Sequence, residues 1–342
     1  MRKAIWQGVL SGGLVLVVAA MACGYWMIDM PGAAVPAQPV TQAREEEVLQ
    51  AQLLHHVSAI AGERNWRRRE QLEVAAQYIE GQLQAMGYRI LRQEVPSKSG
   101  PVRNIEVRLA AGAPDAAEKG AVVIGAHYDS AENTPAANDN GSGVATLLEL
   151  ARTFSGKRAA PGFESVRLVF FVNEEPPHFK TNMMGSWVYA AELAARRQKV
   201  AAMYSLETMG AYYDAPGSQH YPLPGFTWVY PDRGNFLAFI SDTGARDAVR
   251  EAVGAFRATR RLASEGMAAP AMLQGIDWSD HWSFRQHGYP GMMVTDTALF
   301  RYEYYHMPED TPEKIDYRRL ARATLGLGEM FTRLYLQTGR ES

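Results

Sequence analysis

An α/β fold is predicted, a three-layer sandwich with a central, mostly parallel mixed sheet and helices on both faces. Two observations predict it. Three apolar runs, Ala121 to Ala126, Val166 to Val172 and Val200 to Leu206, read as strands buried on both faces, and each runs out into ionisable residues. Around them lie segments whose apolar residues recur at helical spacing, for example Leu72, Ala75, Ala76, Ile79, Leu83 and Met86. In open sheets of this kind, sites are built in the crevice beyond the strand ends.

The chain has 342 residues, enough for one large α/β domain with appendages. Its formal net charge is -2 and its one basic block is Arg67-Arg68-Arg69, read as a solvated helix face, so a nucleic-acid partner has no electrostatic support. The single cysteine, Cys23, cannot form a disulfide within the chain. At the N-terminus, Arg2 and Lys3 precede an uncharged stretch from Ala4 to Ile28, long enough to cross a hydrocarbon layer of roughly 30 Å as a helix. Residues 1-30 therefore read as a signal anchor or signal peptide. Ala20-Met21-Ala22-Cys23 is a third possibility, a lipoprotein box lacking the larger aliphatic residue usual three before the cysteine. In all three cases the domain is exported, periplasmic or extracellular, with membrane contact through this segment.

Residues 31-43, with three prolines, read as a linker with little reason to pack, and 44-342 as the catalytic domain. Arg44 to Ile60 and Arg68 to Met86 are expected helices. Tyr88 to Val95 and Asn104 to Leu109 begin the sheet, and Val144 to Ala151, Gly185 to Arg197 and Tyr317 to Leu336 are further helices, with a late strand over Gly288 to Val294. His55 and His56 have a surface or packing role.

The chemistry gathers at strand ends and loops. His127 and Asp129 follow the first buried run two residues apart, a spacing that lets a carboxylate hold one imidazole nitrogen while the other faces a ligand. Asp139, inside Asn138-Asp139-Asn140-Gly141-Ser142-Gly143, stands just before a helix. Glu174-Glu175 end the second run and Glu207 the third. A metal hydrolase needs one carboxylate to ligate and another to take a proton from water, and adjacent residues leaving a strand can point in those two directions. His178 reads as an exposed loop histidine. Asp280-His281 reads as a structural pair or pocket wall, without metal. Candidate walls are Phe179, Trp187, Tyr212, Tyr213, Trp278, Trp282, Tyr304 and Tyr305.

Together, His-Tyr-Asp at 127-129, the loop at 138-143, Asn-Glu-Glu at 173-175, Ser-Leu-Glu at 205-207 and Tyr-His-Met-Pro-Glu-Asp-Thr at 305-311 resemble the co-catalytic di-zinc aminopeptidase family, whose relatives include bacterial leucine aminopeptidases, glutamate carboxypeptidase II and glutaminyl cyclase. The resemblance covers roughly Glu45 to Leu336. It implies two Zn2+ per chain: His127 and Glu207 would bind one, Glu175 and His306 the other, and Asp139 both. Glu174 falls on the position of the general base and Asp129 on that of the carboxylate orienting His127. The position of Glu207 is more often aspartate, and Pro176-Pro177-His178 replaces a short glycine-containing turn.

The reading that follows is an aminopeptidase acting on peptides with a free N-terminus, in which two ions roughly 3.5 to 4 Å apart share and acidify a hydroxide. Two others compete with it: a glutaminyl cyclase-like single-zinc acyltransferase, for which His127 and Glu207 would have no ligand role, and a non-catalytic binding ectodomain, which would not need a complete ligand set.

Overall fold

The computed structural model describes residues 18–34, 44–110 and 118–338. Its helices are α1 (residues 18–28), α2 (Arg44–Ile60), α3 (Arg69–Ala85), α4 (Gly143–Phe154), α5 (Gly185–Ala195), α6 (Arg246–Thr259), α7 (His281–Gln286) and α8 (Tyr317–Tyr335). Its strands are β1 (Leu91–Val95), β2 (Val102–Ala110), β3 (Gly120–His127), β4 (Lys157–Ala159), β5 (Phe163–Phe171), β6 (Val200–Glu207), β7 (Leu237–Asp242), β8 (Ser264–Ala269), β9 (Gly291–Thr295) and β10 (Leu336–Thr338). Eight of them form one sheet in the order β1-β2-β5-β3-β6-β9-β7-β8, and β4 pairs with β10 apart from it. Strands β5, β3, β6 and β9 run parallel; β2 joins β5, and β7 joins β9, antiparallel.

The expected three layers are present. Helices α2, α4, α6 and α8 cover one face, and α5 and α7 the other. A strand covered on both sides has no polar face, and every residue of β3 is buried. On the first face Phe331 of α8 sits edge-on to Tyr204 of β6, with ring centroids 4.8 Å apart. On the second, Phe171 packs against Tyr189 and Phe284 at 5.7 and 6.1 Å. Gly125 makes this second contact possible, because a Cβ on it would lie 2.3 Å from the Phe171 ring.

Several expectations need correction. The Arg67-Arg68-Arg69 run is not a helix face: Arg67 and Arg68 precede α3 and pair with Glu132 and Glu63, at 2.8 and 3.1 Å. His56 has the packing role, buried with Nε2 2.8 Å from Glu149 and Nδ1 2.7 Å from the Tyr78 hydroxyl. The linker packs at its start, where Arg257 donates to the carbonyls of Pro31 and Gly32 at 3.2 and 2.8 Å; residues 35–43 lie outside the described residues. The first fourteen residues of the Ala4-to-Ile28 stretch also lie outside them, and no helix among the described residues is long and apolar enough to cross a membrane.

Replacing Gly125 by alanine must displace Phe171 and the cluster behind it. Overpacking of this kind costs about 1–3 kcal/mol, so Gly125→Ala should lower the urea midpoint of unfolding with an unchanged denaturant slope. An unaltered midpoint would refute the β3–Phe171 contact.

Candidate metal centre

Because β5, β3 and β6 are parallel neighbours, their C-terminal ends carry Glu174-Glu175, His127 and Glu207 to one end of the sheet. The loop before α4 brings Asp139 and the loop before α8 brings His306. His127 Nε2 lies 3.2 Å from Glu207 Oε2, 3.5 Å from Asp139 Oδ1 and 3.8 Å from Glu174 Oε2. His306 Nε2 lies 2.9 Å from Asp139 Oδ2 and 3.3 Å from Glu175 Oε1. Asp139 thus turns one oxygen toward each imidazole. Two sets, His127–Asp139–Glu207 and Asp139–Glu175–His306, each hold three donor atoms within 4.8 Å of one another, and His127–Glu174–Glu175 is a third, overlapping set.

All of these side chains are buried except His306, which is partly exposed. Burial pushes the Glu174 carboxyl well above its usual range, and the charges of Glu175 and Glu207 push the same way. Burial likewise raises Glu175, and takes Glu207 to about 8. It disfavours charge on the imidazoles, but the acids prevail: Glu207 and Glu174 hold His127 well above its ordinary value, and the adjacent carboxylates of Asp139 and Glu175 take His306 to about 11. Asp139 alone is depressed, its burial outweighed by His127 and His306. The acids outnumber the bases, and the centre is short of positive charge.

Three buried atoms, His127 Nε2, Asp139 Oδ2 and Glu175 Oε1, make no hydrogen bond among the described residues. Buried polar atoms are normally satisfied. Orphans within one nitrogen-and-oxygen donor set, with no thiolate, fit a divalent metal such as zinc.

The Asn-Asp-Asn triplet explains how Asp139 is presented. Asn138 accepts from the Gly210 amide at 2.8 Å and donates to Asp296 at 2.9 Å. Asn140 donates to the Leu206 carbonyl at 2.7 Å and accepts from the amides of Gly143 and Thr208. Asn140 ties its side of the loop to the end of β6 and Asn138 ties the other to the segments following β6 and β9, leaving the aspartate between them directed at the histidines.

Asp129 differs from expectation. Its carboxylate accepts the amides of Glu174 and Glu175, each at 3.1 Å, and stands 3.6 Å from His127 Nδ1, while its own backbone carbonyl is nearer to that nitrogen at 3.2 Å. β3 ends at His127, so strand alternation does not reach Asp129, and its side chain crosses to the turn after β5. His178 is buried, not exposed, with Nε2 accepting from the Lys98 amide at 3.4 Å. Asp280 and His281 stay outside the metal sets; His281 Nε2 lies 2.8 Å from the Ile276 carbonyl.

Three positioning residues escaped the sequence reading. Arg64 is fully enclosed and donates to the carbonyls of Tyr128, Pro135 and Ala136 at 2.8 to 2.9 Å, pinning the loop between Asp129 and Asp139. Asp310 accepts the amides of Asn138 and Asp139 at 2.8 and 3.1 Å and the Tyr302 hydroxyl at 2.7 Å. Ser279 donates to Glu207 Oε2 at 2.7 Å. Asp310 lay within a motif already singled out, and Ser279 directly precedes the Asp280-His281 pair that was also noted; Arg64 had no local signal.

Beside Glu207 and Tyr305 opens a pocket with about 790 Å³ of unoccupied space, part of it open to solvent, walled mainly by apolar groups such as Phe236, Ile240, Met267 and Met293. Of the expected walls, Trp278 and Tyr305 line it. Trp187 and Trp282 instead stack on each other, and Tyr305 also stacks on His306 with centroids 4.0 Å apart.

Residues 104–330 match the model of Peptidase family M28. The protein YfbL of Escherichia coli, uncharacterized, is 40% identical over 266 residues, covering 75% of this chain and 79% of the relative. Aminopeptidase YwaD of Bacillus subtilis is 27% identical over 212 residues, covering 59% of this chain and only 38% of the relative. An aminopeptidase from Aneurinibacillus sp. strain AM-1 superposes with a TM-score of 0.61 at 16% identity, over 86% of this chain and 97% of the other, and so shares the fold. The chain belongs to Peptidase family M28 and, with that family, is a zinc-dependent exopeptidase.

Proposed function

We propose that the protein is an aminopeptidase holding two zinc ions per chain and hydrolysing the N-terminal bond of peptides with a free N-terminus, in a domain exported from the cytoplasm. The observation carrying this reading is the pair of donor sets that share Asp139. His127 and Glu207 would hold one ion, Glu175 and His306 the other, and Asp139 both. Zinc held there supplies Lewis acidity to the scissile carbonyl and to the attacking water. Glu174 is the carboxylate left over, 3.8 Å from His127, and takes the proton of that water and returns it to the leaving amine. Asp129 steadies Glu174 and Glu175 by binding both their amides, and Tyr305 fixes the plane of the His306 ring. The apolar pocket receives the side chain of the first substrate residue.

The same pair of sets favours hydrolysis over the single-zinc acyltransferase, which has no use for His127 and Glu207 as ligands. A binding ectodomain has no need of either set. Export and membrane attachment rest on the uncharged Ala4-to-Ile28 stretch behind Arg2 and Lys3.

Metal content should follow the sharing of Asp139. Asp139→Asn should lose most bound zinc and nearly all turnover of aminoacyl-nitroanilides, whereas Glu207→Ala should chiefly weaken one ion. An Asp139→Asn protein with two zincs per chain and normal turnover would refute the assignment.

The adjacent glutamates should separate by role. Glu174→Gln should lower turnover by roughly two to four orders of magnitude with zinc content unchanged, while Glu175→Gln should lose zinc and regain part of its activity in excess zinc. Zinc loss in the first variant alone would exchange the two roles.

Topology is read with inner-membrane vesicles of cytoplasm-out orientation. They should protect the catalytic domain from added protease, and ready digestion there would overturn its export.

A further inference from the structure

We infer that residues 26–32 form a clasp binding the catalytic domain to its own N-terminal segment along α6, with the metal-binding end of the sheet turned away from the point where that segment leaves. Arg246, Arg250, Gly254 and Arg257 are spaced four, four and three apart and share one face of α6. All four meet the segment. Arg246 donates to the Trp26 carbonyl at 2.7 Å, and its guanidinium lies 4.6 Å from the Trp26 ring centroid. Arg250 donates to the Asp29 carbonyl and, at 2.5 Å, to its carboxylate. Gly254 leaves room for Pro31, whose Cγ would be 2.9 Å from any Cβ there. Arg257 holds Pro31 and Gly32 on one side and the Ser264 carbonyl, at 2.9 Å, on the other.

The segment also covers β8, the last strand of the sheet. Met30 Cγ and Sδ would both lie 3.0 Å from a Cβ on Gly266. Arg257 further pairs at 3.2 Å with Glu265, which lines the apolar pocket, so the clasp backs one wall of that pocket.

Direction follows from the topology. Glu207 pairs with Thr295, and Thr295 with Ala238, so the start of β7 stands level with the metal-binding end. β8 runs parallel to β7, with Ser264 opposite Leu237, so Arg257 is at that level too. Arg246 follows the far end of β7. Passing backward from Gly32 through Asp29 to Trp26, the chain descends α6 away from the catalytic carboxylates and continues as α1. Where the N-terminal stretch is held in a membrane, the catalytic mouth faces away from it; that orientation rests on the proposed membrane attachment, whereas the clasp does not.

The test uses the full chain in its own membranes. With Cys23→Ser as background, Pro31→Cys and Gly254→Cys are introduced; a Cβ at 254 lies 3.5 Å from Cβ of residue 31, within the reach of a disulfide. Mild oxidation should form the intramolecular bond in the folded chain and not in chains denatured first; thiols that stay reduced in the folded chain overturn the clasp. For orientation, fluorophores on Asp247→Cys and Glu132→Cys are compared against a quencher fixed to lipid headgroups. Stronger quenching at 247 is expected, and equal or stronger quenching at 132 overturns the orientation. A full chain that does not partition with membranes overturns the orientation together with the attachment, leaving the disulfide to decide the clasp.

Discussion

The constraint on which the site depends is the burial of four carboxylates, Asp139, Glu174, Glu175 and Glu207, beside two imidazoles. Isolated buried charges are expensive and are kept only when paired or bound to metal. Here the pairing is incomplete. Burial lifts three of the acids, while the acids in turn raise both histidines. The result is a cluster tuned to accept cationic charge, and its orphaned nitrogen and oxygen atoms lie where such charge would sit. The parallel arrangement of β5, β3 and β6 is what concentrates the acids, because strands running the same way deliver their last residues to the same edge.

Holding such a cluster in place falls to groups outside the two donor sets that share Asp139. Asp139 is fixed through its amide by Asp310 and through its two asparagine neighbours by the end of β6 and the segment that follows it. Arg64 enters from the α2–α3 connection and spends these donors on carbonyls, so its guanidinium braces the Asp129–Asp139 loop without a hydrogen bond to a prospective ligand. That division keeps the ligand oxygens free. Asp129 works similarly, satisfying the amides of Glu174 and Glu175 so that those side chains can serve the centre.

What the sequence revealed, and what it hid, divides along physical lines. Central strands were legible because burial on both faces leaves an unbroken apolar run, and their limits in β3 and β6 agree with expectation to within a residue. The candidate ligands were legible because each ends such a run or stands in a loop of the recognised order. The β7–α6–β8 unit was not singled out: β8, Ser-Glu-Gly-Met-Ala-Ala, alternates buried and half-buried positions and carries a glycine and a glutamate. Contacts between distant segments were invisible for another reason. Arg64 with Ala136 and Arg257 with Gly32 join residues far apart in the chain, and no local periodicity encodes them. His178 was misjudged likewise, because its burial comes from the Ser97-Lys98 loop.

Glu207 shows how a departure from the family pattern is absorbed. A glutamate is one methylene longer than the more usual aspartate, and its carboxylate has an added torsion to restrain. Ser279 donates to Glu207 Oε2 at 2.7 Å and is itself 2.7 Å from the Ser205 hydroxyl, two residues earlier on the same strand. Residues two apart on a strand point to the same side, so β6 supplies both the candidate ligand and, through Ser279, its restraint. The same oxygen lies 3.2 Å from His127 Nε2. The longer arm is thus tied through Ser279 to its own strand, and its carboxylate meets His127 at a distance comparable to that between His306 and Glu175 on the other side of Asp139.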